Sequence, residues 1–206
     1  MNKPSKIVCV GRNYLDHIRE MGNDVPKEPL LFLKPASAII HDGEPILLHA
    51  VSGHIEFEGE IGVLIGRRLH RAASESEARE SVAGIVALND VTARDLQRSD
   101  GQWTRAKGMD SFCPLGESGR APQDLESLEI VTRLNGVEVQ RASASNMVFS
   151  IPFLLAYISQ YITLEPGDIV ATGTPAGTRR LSAGDVVEVE IPGVSRVSNP
   201  VLADAG

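Results

Sequence analysis

The stretch HIEFEGEIGVLIG, residues 54–66, constrains this chain more than any other. Its second half is apolar and reads as buried strand. Its first half puts Glu56, Glu58 and Glu60 at every second position of the same strand. Successive side chains of a strand point to opposite faces, so these carboxylates, with His54, are expected on one face. Like charges aligned in this way repel, and burying them without partners costs free energy or forces protonation. Two arrangements resolve the conflict. A half-exposed antiparallel strand leaves the acidic face in water. A hard divalent cation with oxygen ligands would instead stabilise two carboxylates across Gly59, and a glycine inside a strand marks the close approach of a backbone or ligand. Alternation alone favours the wet strand.

The remaining composition narrows the function classes. With 206 residues, 42% hydrophobic and 23% charged, the chain is long enough for one good core and has an ordinary globular balance. Apolar runs such as IVAL and FLLAYI fall far short of the roughly 20 residues a membrane helix requires. The N-terminal MNKPSKIVCVG lacks the shape of a signal peptide. A net charge of −7 without any Lys/Arg block argues against a nucleic-acid surface. Cys9 and Cys113, each in an apolar setting, are too few for a disulfide framework, so a reduced, cytoplasmic protein is expected.

Along the chain, KIVCVG reads as a strand, followed by GRNYLDHIREMG as a turn and short helix closed by Gly22. LLFLKP and PILLHA read as strands around the turn signal HDGEP. Ser74 and Glu77 form a capping-box pattern that opens the helix ESEARESVA, with Gly84 as its C-cap. IVALNDVT reads as a strand and GQWTRAKGMDSFCPLG as an irregular loop. LEIVTRLNGVEVQ carries Asn135-Gly136 between alternating runs, a strong hairpin signal. SIPFLLAYISQY is a helix that tolerates Pro152 in its first turn, and IVATGTPAGT and the strand DVVEVEI close the chain. Short strands, few helices and no βαβ rhythm predict an α+β fold in one domain.

Three clusters besides the glutamates could carry chemistry. Asp90 stands where the strand IVALND stops, as a third carboxylate or as a turn cap. Asp95, beside Arg94, reads as an ion-pair or turn residue. His17 and Glu20 are three apart and share a helix face, where a carboxylate can orient an imidazole as a general base; a solvated helix end has the same look. Lys107, in RAKGMD, is either a confined or an ordinary surface lysine. TGTPAGT fits neither a Walker loop nor a dinucleotide loop, and reads as a tight turn or as a loop offering N–H and hydroxyl groups to a carboxylate.

Together these segments resemble the fumarylacetoacetate hydrolase family. The matching stretches are GRNYLDHIREM, PLLFLKPASAI, EFEGEIGVLIG, NDVTARDLQ, WTRAKGMDSFCPLG, NMVFSIPFLLAYIS, LEPGDIVATGTPAG and SAGDVVEVEI, in family order from about residue 6 to 200. The compact size resembles the family's short acylpyruvase and oxaloacetate decarboxylase branch. The resemblance implies an α+β fold of packed, mainly antiparallel sheets with a few short helices, usually a homodimer, with one Mg²⁺ or Mn²⁺ per subunit. It implies metal ligands at Glu58, Glu60 and Asp90 and no ligand role for Glu56, left as a solvated residue or one behind the ligands. The family's His-Glu dyad falls on His17 and Glu20, in a lid segment within residues 1–30 of a catalytic domain spanning 1–206. The active-site lysine falls on Lys107, and substrate contacts fall on Arg12, Gln97 and Thr174. Two departures, ASASNM at 142–147 and TRR at 178–180, are expected to alter pocket edges rather than chemistry.

The activity so implied is divalent-metal-dependent cleavage of a C–C bond in acylpyruvates, with oxaloacetate decarboxylation as a related outcome. An isomerase or decarboxylase of a 2-hydroxyhepta-2,4-diene-1,7-dioate type diacid shares the same enolate chemistry. Outside catalysis, the chain could be a 2-oxo acid-binding sensor or a structural β-rich module with a wet acidic face. The expected partner is a small 2-oxo acid, with neither nucleic acid nor membrane.

Overall fold

A computed structural model describes residues 3–22 and 24–204. Its strands are β1 (Ile7–Gly11), β2 (Leu30–Lys34), β3 (Ile39–Ile40), β4 (Ile46–Leu48), β5 (Ile55–Glu56), β6 (Gly59–Ile65), β7 (Val82–Asn89), β8 (Thr92–Ala93), β9 (Cys113–Pro114), β10 (Glu129–Leu134), β11 (Val137–Ser143), β12 (Ile169–Ala171), β13 (Val186–Ile191) and β14 (Ser195–Ala203). The α-helices are α1 (Leu15–Glu20), α2 (Glu75–Arg79), α3 (Arg94–Ser99), α4 (Thr104–Lys107) and α5 (Ile151–Tyr161). One sheet runs β2-β1-β12-β6-β7 and another β11-β10-β13-β14-β4. Within them only the β1–β12 and β14–β4 pairs are parallel. The architecture is the α+β fold of mainly antiparallel sheets that the sequence predicts.

Alternation explains how the layers pack. From β1, Val8 and Val10 enter a large core with Ile61, Val63 and Ile65 of β6 and with Val187, Val189 and Ile191 of β13. Ile7 and Cys9 point the other way, into a smaller cluster with Val86, Leu88, Cys113 and Ala171. The first sheet is therefore buried on both faces, which is why IVCV and IVAL are apolar at every position. Glu60 sits opposite Ile61 on β6, so its carboxylate emerges on the side away from the large core.

Local signals behave as expected at several points. Asn135 and Gly136 adopt φ of 53° and 78°, the positive pair that a two-residue hairpin turn requires. Ser74 accepts the Glu77 N–H at 3.2 Å and the Glu77 carboxylate takes the Ala73 N–H at 2.8 Å. Ser150 caps α5 by accepting the Phe153 N–H, with Pro152 in the first turn. Gly22, at φ 65°, closes α1.

Three readings are corrected. Helix α2 stops at Arg79 and Gly84 lies inside β7, where a Cβ would meet Ser118 Oγ at 2.2 Å; the glycine makes room for a neighbouring chain rather than capping a helix. The segment 101–116 contains α4 and β9. The acidic stretch is not one strand. Glu56 belongs to β5, which pairs with β8, and the ladder resumes only at Gly59. Of residues 1–30, within which a lid segment is expected, residues 1, 2 and 23 lie outside the described residues.

Candidate active site

The β6–β7 pairing builds the site. Gly59 is opposite Asn89, so Glu58 and Asp90 lie side by side just beyond the ladder. The Asp90 N–H donates to the Glu58 carbonyl at 2.8 Å, and the Glu58 N–H donates to Asn89 Oδ1 at 2.9 Å. One carboxylate oxygen each from Glu58, Glu60 and Asp90 fall within 4.8 Å of one another, all three residues being buried. Gly59 is compulsory at this point. A Cβ there would stand 2.0 Å from Thr132 Oγ1 and 3.0 Å from Gln140 Oε1, both from the second sheet. The close approach signalled by this glycine is that of a neighbouring sheet.

Cations surround the cluster. Lys107 Nζ donates to Glu58 Oε2 at 2.8 Å and to Asp90 Oδ2 at 2.5 Å. Lys34 Nζ, fully buried, donates to Asp90 Oδ1 at 2.6 Å, to the Val91 carbonyl at 3.2 Å and to the Lys107 carbonyl. Arg94 contacts Glu58 Oε1 at 2.5 Å and Glu56 Oε2 at 2.7 Å. Glu56 also receives His54 Nε2 at 2.8 Å and the Thr178 hydroxyl at 3.1 Å. It is an anchor for Arg94 rather than a solvated residue. Among the described residues Asp95 pairs with no cation; its carboxylate accepts from Ser52 and the Gly53 N–H, as a turn residue does.

Electrostatics separate the three ligand carboxylates. Burial works to raise the Glu58 pKa, but the charges of Lys107 and Arg94 outweigh it and hold the group well below the usual carboxylate range. Glu60 moves the opposite way. Burial, then the charges of Asp90 and Glu58, push it well above its ordinary value. Among the described residues it has no cationic partner within ion-pair distance, and the Gly173 N–H donates to its Oε2 at 2.8 Å. Gly173 adopts φ +99°, and a Cβ on it would lie 2.9 Å from Asn13 Cβ. Asn13 in turn holds the GRNY turn through Phe149 and the Thr172 carbonyl.

This donor set fits a hard divalent cation. Three carboxylates converge, each engaged oxygen of Glu58 and Asp90 keeps a second lone pair, and Glu60, when ionised, has no cation of the described residues beside it.

A cleft of about 380 Å³ opens onto the cluster, and Glu58, Glu60, His17, Lys107, Arg12, Gln97 and Thr174 line it. Asp90 lies one layer deeper. His17 Nδ1 faces Glu20 Oε2 at 3.2 Å, and both Glu20 oxygens accept the Gly177 N–H at 3.2 Å. An ionised carboxylate only accepts, so Nδ1 carries the proton and Nε2 is left basic. Arg12 has φ +59°, an uncommon conformation for a residue with a Cβ, and it holds that side chain at the rim. The nine residues singled out in the sequence thus gather at one site. Lys34, Arg94, Asn89 and Gln140 are its unanticipated members, and of these only the lysine at the end of an apolar strand, LLFLK, carried a visible signal. Residues 142 and 145–147 border a separate hollow with Tyr14 and Arg19, and Thr178 touches Glu56.

Comparison with known proteins agrees. Residues 6–202 match the family described as fumarylacetoacetate (FAA) hydrolase C-terminal. The mitochondrial oxaloacetate tautomerase of Rattus norvegicus is 42% identical over 196 residues, covering 91% of this chain and 87% of the relative. The crystal structure of 2-hydroxyhepta-2,4-diene-1,7-dioate isomerase from Mycobacterium marinum superposes with a TM-score of 0.90 at 41% identity, covering 99% of this chain and 77% of that one. A 5-carboxymethyl-2-hydroxymuconate delta-isomerase from Mycobacterium smegmatis gives 0.91 at 40% identity, covering 99% and 81%. No helix among the described residues is long and apolar enough to cross a membrane. With the match spanning nearly the whole length, the chain belongs to the fumarylacetoacetate hydrolase family, a family of enzymes.

Proposed function

We propose that this protein enolises a short 2-oxo diacid, as a tautomerase or isomerase working with Mg²⁺ or Mn²⁺. The observation that carries this reading is that one cleft is lined by Glu58 and Glu60 and by His17, whose Nδ1 is held by Glu20. A divalent cation held by Glu58, Glu60 and Asp90 would supply a Lewis acid for the substrate's carbonyl and carboxylate oxygens. His17, held in tautomer by Glu20, removes the C3 proton and returns it at the other end of the enol system. Lys107 adds positive charge beside the developing oxyanion while fixing Glu58 and Asp90. Arg12, Gln97 and Thr174 hold the distal carboxylate. Helix α1, within the proposed lid, carries the base to the cleft through the Glu20–Gly177 contact. Relatives named as a tautomerase and as isomerases support proton transfer as the main outcome.

Hydrolysis of an acylpyruvate is the second reading, favoured by the same His17, which could activate water against an acyl carbon. Proton NMR in D₂O separates the two. Oxaloacetate with enzyme and Mg²⁺ should exchange its C3 protons faster than with Mg²⁺ alone, without pyruvate appearing at the same rate. No acceleration on oxaloacetate or on the diene-dioate would overturn the proposal, and pyruvate released from acetylpyruvate would establish hydrolysis. The proposed homodimer is tested by light scattering.

A further inference from the structure

Two polar groups in the cleft are chemically ambivalent. The Thr174 hydroxyl and the Gln97 amide can each donate or accept a hydrogen bond. At Gln97, Oε1 accepts from Arg94 at 2.9 Å. A guanidinium has no acceptor, so the carbonyl end is committed inward and the NH₂ is the end left for the cleft.

Thr174 is committed by a residue outside the cleft. Gln140 stands on β11 of the second sheet and is 2% exposed. Its Oε1 accepts the Gly59 N–H at 3.1 Å, which fixes which end of the amide points where. Its Nε2 then donates to the Pro175 carbonyl at 2.8 Å and to Thr174 Oγ1 at 2.9 Å. With that lone pair taken, the Thr174 hydrogen must leave in another direction. The acceptor it reaches within the described residues, the Pro175 carbonyl, is 3.5 Å away, too long to hold it.

We propose that Gln140 is a positioning residue that sets Thr174 as a hydrogen-bond donor, so that the cleft selects ligands ending in acceptor-only oxygens. With Gln97 set in the same sense, the two groups favour a carboxylate or keto end over the NH₂ of an amide end. The Gln140 amide also grips Gly59, between the ligands Glu58 and Glu60, so the donor and the ligand segment are held in one register. The inference rests on the reading that this cleft takes a 2-oxo acid.

The test is calorimetric titration of the Mg²⁺-loaded protein with oxalate at mildly alkaline pH. Thr174→Val should weaken binding about tenfold, the worth of one hydrogen bond to a charged group. Gln140→Glu keeps the Gly59 contact but offers Thr174 an acceptor, turning its hydroxyl inward, and should also cost about tenfold. The double variant should bind no worse than either single one, because both remove the same donor. Thr174→Ser should bind like the wild type. Wild-type affinity in Gln140→Glu, or additive losses in the double variant, overturns the proposal. If melting shows Gln140→Glu unfolded, oxamate decides: the wild type should prefer oxalate and Thr174→Val should lose that preference, and an unchanged preference overturns the proposal. Failure of the wild type to bind oxalate removes both this inference and the reading beneath it. Oxalate binding without C3 exchange removes only the reaction.

Discussion

Replacing Glu60 by glutamine should stabilise the metal-free protein at neutral pH and abolish its response to Mg²⁺. Glu60 is 1% exposed, and its ligand oxygen lies within 4.8 Å of those of Glu58 and Asp90. At an effective dielectric constant of about 20, each such pair repels by roughly 3 kcal/mol. Lys107 offsets part of this, but its hydrogen bonds go to the two neighbours. A net cost of about 2 kcal/mol is the reasonable scale, or about 4–8 °C in melting temperature for a chain of this length. The amide keeps the acceptor for the Gly173 N–H and removes only the charge.

The sign follows from the direction of the shift. Burial, Asp90 and Glu58 raise the Glu60 pKa. A carboxylate raised in the folded state loses stability as pH climbs from its unfolded value, about 4.3, through its folded one. The advantage of glutamine should therefore be absent below about pH 4, where the carboxyl is protonated in both states, and grow as pH rises toward neutral. Melting in chelator across that range, with and without added Mg²⁺, is the assay. The wild type should gain about 2.7 kcal/mol at a hundredfold excess of metal over Kd, and the variant little. A Glu60→Gln protein that melts below the wild type in chelator, or gains as much from Mg²⁺, would refute the reasoning.

Other perturbations probe the remaining parts. Lys34→Met strands Asp90 and two buried carbonyls and should cost about 3–5 kcal/mol in urea unfolding; a loss under about 1 kcal/mol would show that Lys107 suffices. His17→Gln should slow proton exchange by about 10²–10⁴-fold while oxalate affinity stays put, and a parallel loss of affinity would make His17 a binding residue. Gly59→Ala should cost about 1–3 kcal/mol by overpacking. Thr132→Ala should recover part of that loss by removing the hydroxyl in the way, and strict additivity of the two would refute the steric account.

What was legible in the sequence was local. The Asn135–Gly136 turn, the Ser74 cap and the helix behind Ser150 depend on neighbours a few residues away, and these formed as read. Gly84 misled because a glycine that ends a helix and one that admits a crossing chain look alike until that chain is placed. The acidic stretch misled in a similar way. Period two describes one face of an unbroken ladder, whereas here the ladder breaks at Phe57–Glu58, and Arg94, itself anchored by Glu56, spans the break. The members that went unnoticed are long-range: Lys34 meets Asp90 across 56 positions and Gln140 meets Gly59 across 81. No spacing rule reaches that far.

The charge balance of the site ties these parts to one another. With all four ionised, as metal binding requires, the carboxylates Glu56, Glu58, Glu60 and Asp90 face three cations, Lys34, Arg94 and Lys107, and the unmatched charge is that of Glu60. A divalent cation turns that deficit into one excess positive charge. A single substrate carboxylate then neutralises the site, and a second one would meet Arg12 and Arg98 on the cleft wall. Metal and dianion are each poorly accommodated alone and well accommodated together. Binding of the two should therefore be reciprocal: a 2-oxo diacid should tighten metal binding by the same factor by which metal tightens the diacid. A common factor near one would mean that the buried cations, rather than the metal, do most of the work of holding the substrate.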